Sequence, residues 1–237
     1  MADSALCEPE SPSTSHSTEA SSLVHILSYL GRDYPGAVSE KGEVISEFEY
    51  AEQVEFSQKA VEISDGLDSS FSKQVHELRK NIKDKSNPAV IEAIASKLQL
   101  ELVDFYKIQV YPSTWPNIKT GKLLYQQNCV ACHGETGLGD GIQGKDLTPS
   151  PTNFRDPNIV DNISPYGAFN TIKFGVSGTG MPAFTKFSDK EIWDLSFYLL
   201  SINQETDKPI ANSHSKLPSL KTISKLSNSD FLLKFKG

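Results

Sequence analysis

Apolar residues recur at helical spacing through most of the first half of this 237-residue chain. Leu23, Ile26, Leu27 and Leu30 lie three and four residues apart, so a helix is predicted from Ser21 onward, with Gly31 as its cap. Residues 32–44 contain Pro35, Gly36 and Gly42 and read as a loop. Helical patterns return over residues 46–63, 69–82 and 88–106. The first is loosely periodic: Phe48, Ala51 and Val54 begin a stripe that Glu55 interrupts. The last is clear, with Ile91, Ile94, Leu98, Leu102 and Phe105 on one face. Residues 21–110 therefore predict a small α-helical bundle with short connections.

The second half is punctuated differently. Pro112 and Pro116 stop any helix, so residues 111–116 read as a Pro-rich hinge. A helix is predicted over 117–127, followed by a Gly/Pro-rich stretch over 134–154 and a short helix near 164–174. Ser188 and Glu191 have the spacing of a capping box. They open a last helix with Ile192, Leu195, Tyr198, Leu199 and Ile202 on one face. Gly121 and Tyr125 lie one turn apart, a pattern that lets this last helix cross closely over the glycine. Residues 1–20 are rich in Ser, Thr, Glu and Pro and predict a disordered tail. Residues 204–237 read as a polar connector with one short amphipathic piece at 229–235. The expected fold class is all-α, with a second domain over 117–203.

Chemistry concentrates in Cys129-Val130-Ala131-Cys132-His133. This is a C-x-x-C-H run, the attachment signal for a c-type haem. Each thiol can form a thioether with one vinyl group of a single porphyrin, and the histidine that follows becomes the proximal iron ligand. A zinc site would need further Cys or His ligands at regular spacing, and no second C-x-x-C exists. A thioredoxin-like pair would need a βαβ pattern, which is absent. Apart from Met1, the one methionine is Met181, set in Gly178-Thr179-Gly180-Met181-Pro182. A thioether in a Gly/Pro turn beyond a haem motif is the candidate distal ligand, and it favours ferrous iron. Cys7 lies in the Ser-rich tail, outside any convincing lipobox, and is read as incidental.

Charge and hydropathy narrow the setting. The formal net charge is −7, which argues against nucleic acid and favours a basic or cationic partner. No apolar run approaches the ~18 residues of a membrane span. Residues 1–20 also lack the apolar core of a secretory signal. Haem c is attached outside the bacterial cytoplasm, so the expected location is periplasmic or otherwise extracytoplasmic, with the signal peptide removed from this chain.

Residues 117–203 resemble a class I cytochrome c: helix, C-x-x-C-H, wrapping loop, methionine loop and closing helix occur in that order. The resemblance implies one covalent haem c, thioether anchors at Cys129 and Cys132, and axial ligands at His133 and Met181. It also implies that a loop carbonyl near a proline accepts the proximal imidazole N–H, with Pro149 and Pro151 both candidates. The resemblance extends to the whole chain. L-V-H-I-L-S-Y-L-G-R-D-Y-P-G-A-V at 23–38 and E-Y-A-E-Q-V-E-F at 49–56 are similar to the extracytoplasmic region of bacterial fusions between cytochrome c and an Ftr-type iron permease. So are G-L-G-D-G, L-T-P-S-P-T-N-F, G-T-G-M-P-A-F and W-D-L-S-F-Y-L-L. In that setting residues 217–237 would lead towards a permease, whose spans and R-E-x-x-E motif this chain lacks.

That setting raises the question of non-haem iron, which needs hard oxygen ligands. Glu49, Glu52 and Glu55 can share a helix face, with Glu47 nearby. Tyr50, Asp33, Tyr34 and His25 are further candidates. The alternative is a solvated acidic face in an acidic protein. His76 reads as a surface or packing residue, and His16 and His214 as bystanders. Asn153, Arg155, Tyr166 and Trp193 are candidates for contact with haem propionates or the haem edge, or for ordinary packing. Three functions follow: an electron-transfer module exchanging electrons with iron or a redox protein, a respiratory cytochrome c with a helical extension, or a haem peroxidase or sensor. The last lacks a distal His/Arg pair.

Overall fold

The computed structural model describes residues 14–176, 178–203, 218–227 and 229–230. The chain divides into two units, residues 1–108 and 109–237. Cys7, His214, residues 1–13 and most of the predicted helix at 229–235 lie outside the described residues. Both units are helical, as the periodicity predicts. The one β-type pairing among the described residues is an isolated bridge between Val38 and Val44.

The first unit contains α1 (Thr14–Ala37), α2 (Glu47–Ser64), α3 (Ser69–Lys83) and α4 (Pro88–Phe105). Helix α1 packs on α2 and α4, α2 on α3, and α3 on α4, so the four helices close a ring around one core. Leu23, Leu27, Leu30, Leu78, Ile82, Ile91, Leu98 and Leu102 fill it. Local chemistry sets the boundaries. The side chains of Ser46, Asp68 and Asn87 each accept a first-turn N–H, and Pro88 sits at a position where its missing N–H costs nothing.

Sequence expectations need correction at several points in this unit. Helix α1 begins at Thr14, so residues 14–20 are helical rather than part of a disordered tail. It also runs through Gly31 and Pro35 to Ala37, where a loop was expected. Gly31 is buried against Ala95 of α4 instead of capping the helix. Pro35 stands near the helix end. The reversal into α2 is short and hydrogen-bonded: Ser39 N–H donates to the Glu43 carbonyl at 2.8 Å, and Ile45 N–H to the Ala37 carbonyl at 2.9 Å. In α4, Phe105 is half exposed, and its ring packs edge-on against Phe71 at 5.3 Å. Earlier in the stripe Ala95 is the buried residue where Ile94 was expected, and Ile94 is half-buried.

The second unit contains α5 (Ile118–Asn128), α6 (Val130–His133), α7 (Pro157–Val160), α8 (Pro165–Phe174), α9 (Asp189–Ser201) and α10 (Leu220–Ile223). The predicted capping box is present: Ser188 and Glu191 satisfy each other's backbone N–H groups. Helix α9 packs on both α5 and α8. Tyr125, Phe169, Ile172, Ile192, Trp193, Leu195 and Leu199 form the core between them. The α5–α9 crossing is close. A Cβ at Gly121 would lie 2.7 Å from the Tyr198 Cβ and against the Asp194 carbonyl. The buried Asp194 carboxylate also accepts the Asn117 N–H at 2.7 Å and the Lys190 ammonium at 2.8 Å, fixing the start of α5 to α9. The Pro-rich segment read as a hinge thus belongs to the second unit, and Pro112 is buried there.

Replacing Gly121 with Ala is expected to destabilise the second unit by about 1–3 kcal/mol, the cost of overpacking a tight contact. Chemical denaturation followed by near-UV circular dichroism would measure it. An unchanged midpoint would contradict the close crossing.

Candidate cofactor site at Cys129, Cys132 and His133

The last turn of α5 feeds directly into the cysteines. Cys129 N–H donates to the Tyr125 carbonyl at 2.8 Å, and His133 N–H to the Cys129 carbonyl at 2.8 Å. One helical turn therefore carries Cys129, Cys132 and His133. Both thiols are free and half-buried, with no disulfide between them. Burial, reinforced by Cys132, pushes the Cys129 thiol up to about 12. Tyr125 closes the turn: its hydroxyl donates to the Gly134 carbonyl at 2.7 Å in a fully buried position.

His133 is buried and held on two sides. Its Nδ1 lies 3.2 Å from the Thr152 carbonyl, and its ring stacks on Phe154 at 4.9 Å between centroids. Burial lowers the imidazole pKa, and the Thr152 carbonyl partly opposes that shift. The imidazole is thus favoured neutral. With Nδ1–H donating to Thr152, the lone pair stays on Nε2. The carbonyl acceptor belongs to Thr152, immediately after Pro151, rather than to Pro149 or Pro151. The Pro149 side chain is exposed, and the Pro151 ring packs over Gly144. The loop from 134 to 154 is tied down at several points. Gly139 has φ of +76°, and a Cβ there would press on the Pro151 carbonyl, so both its conformation and its space require glycine.

Met181 sits half-buried in a closed turn. Its carbonyl accepts the Val176 N–H at 3.0 Å, and its N–H donates to the Thr179 hydroxyl oxygen at 3.1 Å. Phe184 N–H donates to the Ile172 carbonyl at 3.0 Å, which anchors the outgoing strand of this loop to α8. The wrapping loop reaches the methionine loop through Leu147, which packs against Gly180.

The other candidates separate clearly. Trp193 is 3% exposed and stacks on Phe169 at 4.4 Å, with Tyr166 and Phe197 alongside, so these rings form the support of the domain. Arg155 Nε donates to the Thr136 carbonyl at 2.9 Å, and Asn153 Oδ1 accepts the Arg155 N–H. His76 is exposed and paired with Asp65 at 3.1 Å. His16 is exposed. His25 is buried, edge-on to Tyr29 at 5.0 Å. The roles of Thr152, Phe154 and Thr179 were not legible beforehand, because they depend on which loop carbonyl, ring and hydroxyl the backbone brings together.

Glu49, Glu52 and Glu55 share a face of α2, and Asp33 of α1 joins them electrostatically. The Glu52 carboxyl is raised by desolvation first, then by Glu49, Glu55 and Asp33. Arg32 neutralises Asp33 through an ion pair at 2.8 Å. Tyr50 is committed elsewhere: its hydroxyl donates to the carbonyls of Ile82 and Lys83, both at 3.3 Å. Tyr34 is fully buried. Among the described residues, no three His, Cys, Asp or Glu side chains form a group that could hold a metal ion.

Residues 116–199 match the protein family described as cytochrome C oxidase, cbb3-type, subunit III. Residues 116–199 form a c-type cytochrome domain. The match covers about a third of the chain, and such a domain implies covalently bound haem c. Among solved structures, the chain is similar to the Kuenenia stuttgartiensis reducing HAO-like protein complex at 27% identity. That match covers 48% of this chain and 61% of the other, with a TM-score of 0.37. The chain thus spans about three-fifths of that protein. No curated protein matches the chain. No helix among the described residues is long and apolar enough to cross a membrane.

The acidic face makes a pH prediction. Glu52 holds its proton more tightly in the folded state than in the unfolded chain, so ionising it costs stability as pH rises through its folded value. Glu52→Gln should therefore raise Tm at neutral pH, and the gain should vanish well below the ordinary glutamate range. Thermal melts across pH would check this. A lower Tm at neutral pH would contradict it.

Proposed function

We propose that this chain is a His/Met-ligated haem c electron carrier, with Cys129 and Cys132 as thioether anchors and His133 and Met181 as axial ligands. The observation that carries the reading is the state of His133. Its Nδ1 is engaged by Thr152, which leaves Nε2 as the basic atom, on the same helical turn as two free thiols. The residues present fit the group: two thiols, one oriented imidazole and one thioether in a closed turn. Haem c supplies a one-electron iron couple when bound. The chain's own residues do the rest. Thr152 and Phe154 orient the imidazole, and a carbonyl partner raises its basicity as a ligand. A thioether in the distal position favours the ferrous state.

The chain's acidic balance and its resemblance to cytochrome–permease fusions support iron as the electron-exchange partner, in an extracytoplasmic iron-uptake system. The carboxylate face of Glu49, Glu52 and Glu55 would gather cations electrostatically rather than as a formed ligand set. A membrane iron permease, fused or associated, would be the downstream partner in this setting, and a respiratory redox protein is the alternative. His133 and Met181 together would hold the iron and leave no ligand position for substrate chemistry, which disfavours a peroxidase or sensor.

Replacement of Met181 by Ala tests the assignment. The Met–iron charge-transfer absorption of the ferric protein should disappear, and the reduction potential should fall. An unchanged spectrum would refute ligation. Mixing ferric protein with Fe²⁺ tests the partner: rapid haem reduction, slowed when Glu49, Glu52 and Glu55 are changed together to Gln, supports iron exchange. Slow reduction unaffected by the triple change leaves a redox protein as the partner.

A further inference from the structure

We infer that the Thr179 hydroxyl is a positioning group for Met181, setting how firmly the thioether is held towards the haem. The inference rests on the His/Met reading above and goes beyond it by naming a residue outside the ligand set. Thr179 uses its hydroxyl twice. It donates to the Val176 carbonyl at 2.9 Å, and the same oxygen accepts the Met181 N–H at 3.1 Å. The turn is closed from the other side by Val176 N–H donating to the Met181 carbonyl at 3.0 Å. Both backbone polar groups of Met181 are therefore fixed, one by Val176 directly and one through the Thr179 side chain. The Thr179 N–H also donates to the Val176 carbonyl, at 3.3 Å.

The consequence is mechanical. A methionine side chain has three rotatable bonds and is adaptable by nature. The orientation of its sulfur is defined only if its Cα is held. The flanking glycines offer no side-chain constraint, and Gly178 has φ of +76°. Leu147 covers Gly180 from the wrapping loop but makes no hydrogen bond there. To the backbone hydrogen bonds that close this glycine-flanked turn, the Thr179 hydroxyl adds a side-chain link that holds the Met181 N–H. A side chain of the same shape without the hydroxyl would leave the Met181 N–H and the Val176 carbonyl without that link.

The test uses the full haem-loaded protein as Thr179→Val, Thr179→Ser and the parent. Cyanide is titrated against the Met–iron charge-transfer band of each ferric protein. The concentration that displaces half the band should fall about tenfold in Thr179→Val, the scale of one lost hydrogen bond. It should stay near the parent value in Thr179→Ser. Far-UV circular dichroism and the haem content of each variant establish that it is folded and loaded. Equal displacement in Thr179→Val and the parent would overturn the inference while leaving Met181 as ligand. Displacement in Thr179→Ser as easy as in Thr179→Val would also overturn it, because a retained hydroxyl would then fail to hold the methionine. A parent protein without the band would remove the His/Met reading, and this inference with it.

Discussion

The hydrogen bond between His133 Nδ1 and the Thr152 carbonyl is the constraint on which the second unit depends. It fixes the tautomer of an imidazole that burial already keeps neutral. It also sets the path of the loop, because Thr152 reaches the ring only if residues 134–151 fold back over the single turn of α6. The tight positions in that loop answer to the same demand. Gly141 N–H donates to the Cys132 carbonyl at 3.1 Å, and Gln143 N–H to the Ala131 carbonyl at 2.8 Å, so the loop is stitched to the turn that carries the cysteines. Phe154, immediately beyond, completes the clamp by stacking on the imidazole.

Behind this clamp, the crossing of α5 and α9 determines where the cysteines stand. Gly121 permits the approach, and Asp194 fixes its register by binding the start of α5. Tyr125, one turn after Gly121, packs on Tyr198 at 5.6 Å and reaches the Gly134 carbonyl. A single side chain thus ties the helix crossing to the turn that follows the histidine. The residues of the C-x-x-C-H run do little of this work themselves. Their geometry is inherited from a scaffold built on a glycine, an aspartate and a tyrosine.

Much of this was legible in the sequence where one local rule acted alone. The capping box at Ser188 and Glu191, the close crossing at Gly121 and the helices expected over 69–82 and 88–106 follow from spacing and cap chemistry. The helix expected over 46–63 forms, but Phe48 and Ala51 of its expected stripe are exposed and it buries Gln53, Ser57, Ala60 and Val61 instead. Expectations failed where tertiary packing overrode a local signal. Gly31 and Pro35 read as helix stops, yet the packing of Gly31 on Ala95 and the tight turn at 38–45 carry α1 to Ala37. The acceptor for His133 could be narrowed to the neighbourhood of two prolines but no further, since adjacent carbonyls differ only in three-dimensional direction. Thr179 gave no signal because a threonine among glycines has no distinguishing period. The acidic face of α2 was visible as spacing, but the contribution of Asp33 from α1 is a tertiary fact.

The central claim is that this chain carries haem through Cys129 and Cys132. It is tested most directly by producing the protein with a haem c maturation system, denaturing it, and measuring intact mass together with the pyridine haemochrome spectrum. The account predicts one haem retained covalently per chain, with a spectrum showing both vinyl groups saturated, and none retained when both cysteines are replaced by serine. Haem released on denaturation, or retained without the two cysteines, would contradict it.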